Sequence, residues 1–376
     1  MKGNPGLAVV GAGVIGLAIA WKASAAGCRV TVFDPAPARG ASWVAGGMLA
    51  PVTEAWPGDE PVLELGEESL RRWPAFAADL AREGFDPGLS LNGTVVAAFD
   101  HADAEQLGTL AEYLRELGRE ATFVSGRALR REEPGLSASV RAGLLVPGDL
   151  AVDNRKLLGA LIDATRANGG TFVTEPVSEL TSSRVRAAGG ERAFDAVVLA
   201  AGAWSGGLSA ALAGRVRPLK GEILRMRTRR GALPPPSRTV RAFVEGRPVY
   251  LVPRAGGELV LGATQYEAGF DTAVTARGVR ELLEGAERIF PGIAEYELVE
   301  TAAAPRAASA DNLPYLGELT DGVFAATGHH RNGLLLAPVT ADAVLAWLGG
   351  ESPPKGTAAA DPLRGSATDT THREKV

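Results

Sequence analysis

The run Gly11-Ala12-Gly13-Val14-Ile15-Gly16 has G-x-G-x-x-G spacing, and Asp34 closes the next apolar segment. Between a strand and a helix, that spacing suits the binding of a dinucleotide. Gly11 permits a tight turn, Gly13 lets the backbone approach a pyrophosphate, and Gly16 lets helix and strand pack closely. The helix start adds unpaired N–H groups and a positive dipole end, which favour phosphate. Asp34 suits a ribose hydroxyl. The motif does not by itself separate a nicotinamide from a flavin dinucleotide. The stretch 40–51, Gly-Ala-Ser-Trp-Val-Ala-Gly-Gly-Met-Leu-Ala-Pro, points to the second. Its small residues let main chain run against a large flat cofactor with N–H groups free to bond it.

These residues need a frame. Residues 7–10 read as a strand, 14–26 as a helix stopped at Gly27, and 29–33 as a second strand, a βαβ opening. Helices are expected over 60–83, 102–118 and 152–168, strands over 94–99 and 171–174, and a strand buried on both faces at 196–201. From 217 to 299 short alternating runs predict a largely antiparallel sheet with a helix over 276–289. A last strand at 323–326 leads through 328–333 into a helix over 334–348. The expected fold is α/β, with α+β character in the second domain. A Rossmann-type cofactor domain is built from a discontinuous chain, 1–88, 148–218 and 304–350. A substrate domain on a largely antiparallel sheet takes 89–147 and 219–303, and a disordered tail takes 351–376.

Composition sets outer limits. The chain has 376 residues, 46% hydrophobic and 22% charged, enough for a large core and two domains. A net charge of -5 offers no basic field for nucleic acid or an anionic membrane. The single cysteine, Cys28, excludes a disulfide within the chain and suits a cytoplasmic setting. With one cysteine and four histidines, no metal site is expected. Residues 1–6 lack the regions of a secretory signal, and no apolar stretch reads as a membrane span.

The pattern of residues 11–16, Asp34 and 41–51 resembles the D-amino-acid-oxidase-like FAD-dependent oxidoreductases, and within them the glycine-oxidase branch of thiamine biosynthesis. The resemblance runs over most of 7–348. It is strengthened by Val249-Tyr250-Leu251-Val252-Pro253-Arg254, by Leu261-Gly262-Ala263-Thr264 and by the segment 328–338, which begins Gly-His-His-Arg-Asn-Gly. It implies non-covalent FAD, with contacts at Val14, Ile15, Asp34, Pro35, Ala41, Ser42, Gly46, Gly47 and Met48. Val177 would touch the adenosine part through its backbone. His329, His330, Arg331, Asn332, Gly333, Leu334 and Leu335 would line the flavin, with a helix dipole behind its reduced edge. Sarcosine-oxidase relatives anchor flavin through a cysteine near this C-terminal loop; Cys28 lies elsewhere.

The resemblance also implies a substrate carboxylate held by Arg306, which precedes the turn Pro314-Tyr315-Leu316-Gly317, with Tyr250 as its partner and Arg331 on the flavin side. A guanidinium matches a carboxylate bidentately and keeps its charge. No residue is required as a catalytic acid or base. The implied reaction oxidises glycine to an imine, with O2 as electron acceptor and hydrogen peroxide as product. The imine passes to a thiazole synthase or hydrolyses to glyoxylate and ammonia. A homo-oligomer is expected. The sequence departs from the family at Ala304-Pro305-Arg306-Ala307-Ala308, where Gly-Leu-Arg-Pro-Gly is usual, so the loop expected there would present Arg306 differently. The alternatives are a sarcosine or other small amino-acid oxidase, a D-amino-acid dehydrogenase, or a dinucleotide-binding regulator without catalysis.

Overall fold

A computed structural model describes residues 4–365. Two sheets organise the chain. The first has six strands in the order Tyr315–Glu318, Phe324–Thr327, Ala196–Leu199, Gly6–Val10, Arg29–Phe33, Thr171–Val173. All its neighbours are parallel except the pair Tyr315–Glu318 and Phe324–Thr327. The helix Val14–Ala25 is apolar on nearly every side because it is enclosed on nearly every side, packing against Asn154–Ala167 and Ala337–Gly349. Trp21, Trp73 and Phe76 fill the core beside it.

The second sheet has eight strands in the order Glu297–Ala308, Arg217–Arg227, Glu258–Gly262, Arg247–Pro253, Thr239–Val244, Thr94–Ala98, Ala142–Val146, Thr122–Ser125. Only Thr239–Val244 and Thr94–Ala98 pair in parallel. The helix Ala276–Ile289 covers one face, burying Leu282, Ala286 and Ile289 against Val249 and Leu251. The other face carries Gly221, Ile223, Tyr250, Ala304 and Arg306 toward the functional site.

Three expectations are corrected. The boundaries drawn at 218 and 304 fall inside strands: Arg217 pairs with Ala308, and Ala304–Ala308 belongs to the eight-stranded sheet. The helix expected from 152 begins at Asn154, because Leu150–Val152 pairs as a strand and the Asp153 side chain then caps the amides of Arg155 and Lys156. The tail is ordered as far as it is described: Thr357 and Ala360 are buried, and Arg364 donates to the carbonyls of Leu313 and Pro314 at 2.7 and 2.8 Å. Polar anchoring, which apolar content does not register, holds 351–365 in place. The remainder of the expected tail lies outside the described residues.

Candidate active site

The turn out of Gly6–Val10 places Gly11 at φ +107°, and a Cβ there would collide with the carbonyl of Ala200. A Cβ on Gly16 would collide with the carbonyl of Gly11, so this glycine serves the helix–strand contact. Gly13 differs. Only Ser42 Oγ, at 3.3 Å, stands near its missing Cβ, and the residue lines a cavity of about 700 Å³. Gly13, at the N-cap of the helix Val14–Ala25, has no side chain to cap it; Val14 N–H donates instead to Ser42 Oγ at 3.0 Å. Asp34 accepts from the amides of Ala12 and Ala36 at 2.7 and 2.8 Å, which fixes its carboxylate at the cavity wall. Pro35 and Val177 line the same end, and His329, His330 and Gly333 the other.

A smaller cavity of about 190 Å³ abuts the first and shares Val14, Ala41, Ser42, His330 and Gly333 with it. Its walls include Gly46, Gly47, Met48, Tyr250, Arg306, Arg331, Asn332 and Leu334. The two cavities together bring most of the expected residues to one continuous surface. The shape and donors fit FAD: a Gly-walled helix start for the pyrophosphate, Asp34 for a ribose, and a small-residue wall at Gly46 and Gly47 for the ring.

Leu335 is a correction. It lines neither cavity; it is buried in the core, and its carbonyl accepts from Ser69 Oγ at 2.6 Å and Trp73 Nε1 at 3.0 Å. The helix expected from 334 begins at Ala337, preceded by the 3-10 turn His330–Asn332. One such turn has little macrodipole, so the ring end of the cavity meets individual groups instead. Burial lowers His329 to about 3, and its Nε2 lies 3.0 Å from Thr340 Oγ1. Burial, reinforced by Arg306 and Arg331, lowers His330 to about 4. Both rings are therefore neutral at pH 7. His330 Nε2 is buried without a partner among the described residues.

Arg306 lies in the strand Glu297–Ala308, and the loop expected around it does not exist. Pro305 is tolerated for a specific reason. It lies opposite Lys220 on an edge strand, and Lys220 exchanges both its backbone bonds with Tyr266. The pair is thus a non-bonded one, and the missing proline N–H removes no ladder bond. Successive residues then face opposite ways: Pro305 and Ala307 line the larger cavity, Ala304 and Arg306 the smaller.

The Arg306 guanidinium donates to Thr264 O at 3.2 Å and has no carboxylate within ion-pair distance among the described residues. Burial lowers its pKa, but a guanidinium stays charged at neutral pH. The Tyr250 ring is wedged between Gly46 and Gly262, where any side chain would strike it. Burial raises the Tyr250 pKa, so the phenol is protonated.

Sequence reasoning missed three side chains here. Glu54 pairs with Arg241 and with Arg331 Nε at 3.0 Å. Burial alone would raise the Glu54 pKa, yet these two guanidiniums outweigh it and hold the carboxyl below its ordinary value. Arg254 donates to the carbonyl of Gly46 and so supports the Gly46–Gly47 wall; burial lowers its pKa to about 10. Only Arg254 stood in a segment whose pattern drew attention.

The comparisons agree with this geometry. The family model described as FAD dependent oxidoreductase matches residues 7–347. The chain belongs to this family of FAD-dependent oxidoreductases. It is 34% identical to the glycine oxidase of Geobacillus kaustophilus, over 89% of this chain and 90% of the relative. The glycine oxidase of Pseudomonas aeruginosa is 32% identical over 92% of this chain and 95% of its own. The bifunctional protein ThiO/ThiG of Synechocystis is 31% identical over 91% of this chain and 51% of its own length. The crystal structure of the Geobacillus enzyme superposes with a TM-score of 0.88 at 32% identity, covering 96% of this chain and 99% of the other.

Proposed function

We propose that this protein is an FAD-dependent oxidase of glycine, and that its imine product supplies a thiazole synthase or hydrolyses to glyoxylate and ammonia. The observation that carries the reading is Arg306: a half-buried cation with no carboxylate partner among the described residues, facing a small cavity that opens on the cofactor cavity. A ligand carboxylate would satisfy that charge. The six-stranded sheet and its helices serve as the cofactor-binding unit, and the eight-stranded sheet as the substrate-binding unit.

Bound FAD would accept the two electrons and hydrogen lost from the substrate carbon and nitrogen, and pass them to O2 as hydrogen peroxide. The protein's own part is positional. Arg306 takes the carboxylate, and the Tyr250 hydroxyl donates to it. Glu54 holds Arg331 at the pocket edge. The neutral imidazole of His330 adds no charge near the reacting amine. The cavity of about 190 Å³ favours a small amino acid. Two oriented partners on one carboxylate hold the substrate's Cα beside the ring, and such positioning supplies rate without a general base. Cys28 lines neither cavity, which supports non-covalent flavin. The ThiO/ThiG relatives support the thiazole hand-off, since one chain there joins both names. Among the described residues no helix is long and apolar enough to cross a membrane.

The test is a panel of glycine, sarcosine, D-alanine and D-proline followed by peroxide release. Glycine should give the highest kcat/KM. A clear preference for sarcosine would move the assignment to a secondary-amine oxidase, and no peroxide with any of them would contradict the oxidase reading.

A further inference from the structure

Beneath the substrate pocket lies a carboxyl group that the proposed reaction does not use. Asp149 sits between the strands Ala142–Val146 and Leu150–Val152 and is fully buried. Its Oδ2 accepts from Thr53 Oγ1 at 2.9 Å, while its Oδ1 is buried with no hydrogen-bond partner among the described residues. Thr53 immediately precedes Glu54, so Asp149 underpins the turn that carries Glu54 to the pocket. Arg241 acts on both acids, but only Glu54 makes the ion pair with it. An ionised carboxylate that accepts a single side-chain hydrogen bond in a dry site is strongly disfavoured, and the charge of Glu54 nearby adds to that.

We infer that Asp149 is held as a neutral acid under the site, and that its ionisation draws Arg241 from Glu54 and weakens the capture of a carboxylate ligand. Asp149 is thus a positioning residue, and the inference rests on the reading of Arg306 as the carboxylate anchor. Burial, with the charge of Glu54, pushes the Asp149 carboxyl up to about 7, against the opposing pull of Thr53, Arg241 and the Val52 backbone N–H.

The other groups facing the site titrate elsewhere. Burial drops His330 to about 4, and Arg241 and Arg331 hold Glu54 low against burial. Burial raises Tyr250, and the three guanidiniums keep their charge. With Asp149 neutral, Glu54 is the one carboxylate among the described residues lining the pocket that opposes the charges of Arg241, Arg306 and Arg331. With Asp149 ionised they are opposed by two carboxylates. An anion therefore binds best to the protonated form, and affinity is lost as pH rises through the Asp149 pKa.

The test uses acetate, which has no group titrating between about pH 6 and about pH 8.5. Its binding to the oxidised holoenzyme is read from the change in flavin absorbance. The wild-type Kd should rise roughly three- to tenfold across that range. Asp149→Asn should be flat, at the wild-type low-pH value. Calorimetry on the wild type in two buffers of different ionisation heat should show uptake of part of a proton near neutral pH, which keeps the test decisive if the variant does not fold. A flat wild-type Kd, no proton uptake, or a slope that persists in Asp149→Asn overturns the inference while leaving the anchor intact. Acetate that fails to perturb the flavin at any pH overturns the anchor reading and this inference with it.

Discussion

Arg306 and Gly221 sit diagonally on one face of an antiparallel strand pair, and the Arg306 guanidinium occupies the space that a side chain on Gly221 would need. The glycine is therefore part of the proposed carboxylate site, because it leaves room for the Arg306 guanidinium. Gly221→Ala should push the guanidinium off its place above Thr264 O. We expect kcat/KM for glycine to fall about 10- to 100-fold, mostly through KM, with normal FAD content. Unchanged KM would show that Arg306 has another productive position.

Glu54→Gln separates binding from turnover. The change removes the one carboxylate shared by Arg241 and Arg331. The pocket becomes more positive, so acetate should bind roughly two- to tenfold tighter. Glycine turnover should nonetheless fall, because the released guanidiniums draw the carboxylate away from Arg306. Weaker acetate binding would mean that Glu54 acts mainly by holding the fold of its turn.

Gly13→Val tests the cofactor cradle. Little but Ser42 Oγ adjoins the missing side chain, so the protein itself has room for more than glycine. A branched side chain there would occupy the pyrophosphate path. The variant should be soluble and largely colourless; full flavin occupancy would place the diphosphate elsewhere.

The carboxyl-terminal segment contributes to stability through Arg364 and Arg215. Arg364 bonds Asp311, Leu313 O and Pro314 O and lies 4.3 Å from the Tyr315 ring centroid. Arg215 donates to Pro362 O at 2.6 Å. A chain ending at Gly350 should be about 2–3 kcal/mol less stable than one ending at Gly365, a drop of several degrees in Tm. Equal midpoints would show that the docked segment contributes nothing.

Much of this was legible in the sequence, for reasons that differ by residue. Gly11, Gly13, Gly16 and Asp34 announce themselves because their roles are local: a turn, a cap and a strand end fix their spacing. The strands of the second sheet were legible by alternation, but their partners were not, since Arg217–Arg227 pairs with Glu297–Ala308 across three intervening strands and a helix. Arg306 was found by its resemblance to a family pattern, yet placed in a loop, because proline beside it reads as a strand breaker until the register shows that an N–H at that position would have no ladder partner. Glu54, Arg241 and Asp149 were not visible. Glu54 and Arg241 are 187 residues apart, and such a pair leaves no periodic trace.

The most direct test is anaerobic reduction of the flavin by glycine in Arg306→Ala. Removing one partner of a desolvated ion pair costs roughly 2–5 kcal/mol, and about 1.4 kcal/mol is tenfold. With normal FAD content, bleaching at subsaturating glycine should be roughly 30-fold to several thousand-fold slower than in the wild type. Arg306→Lys should recover only part of the loss, because an ammonium keeps the charge but not the fork. Bleaching within a few-fold of the wild type would contradict the account, and Arg331 would then be the guanidinium that holds the carboxylate.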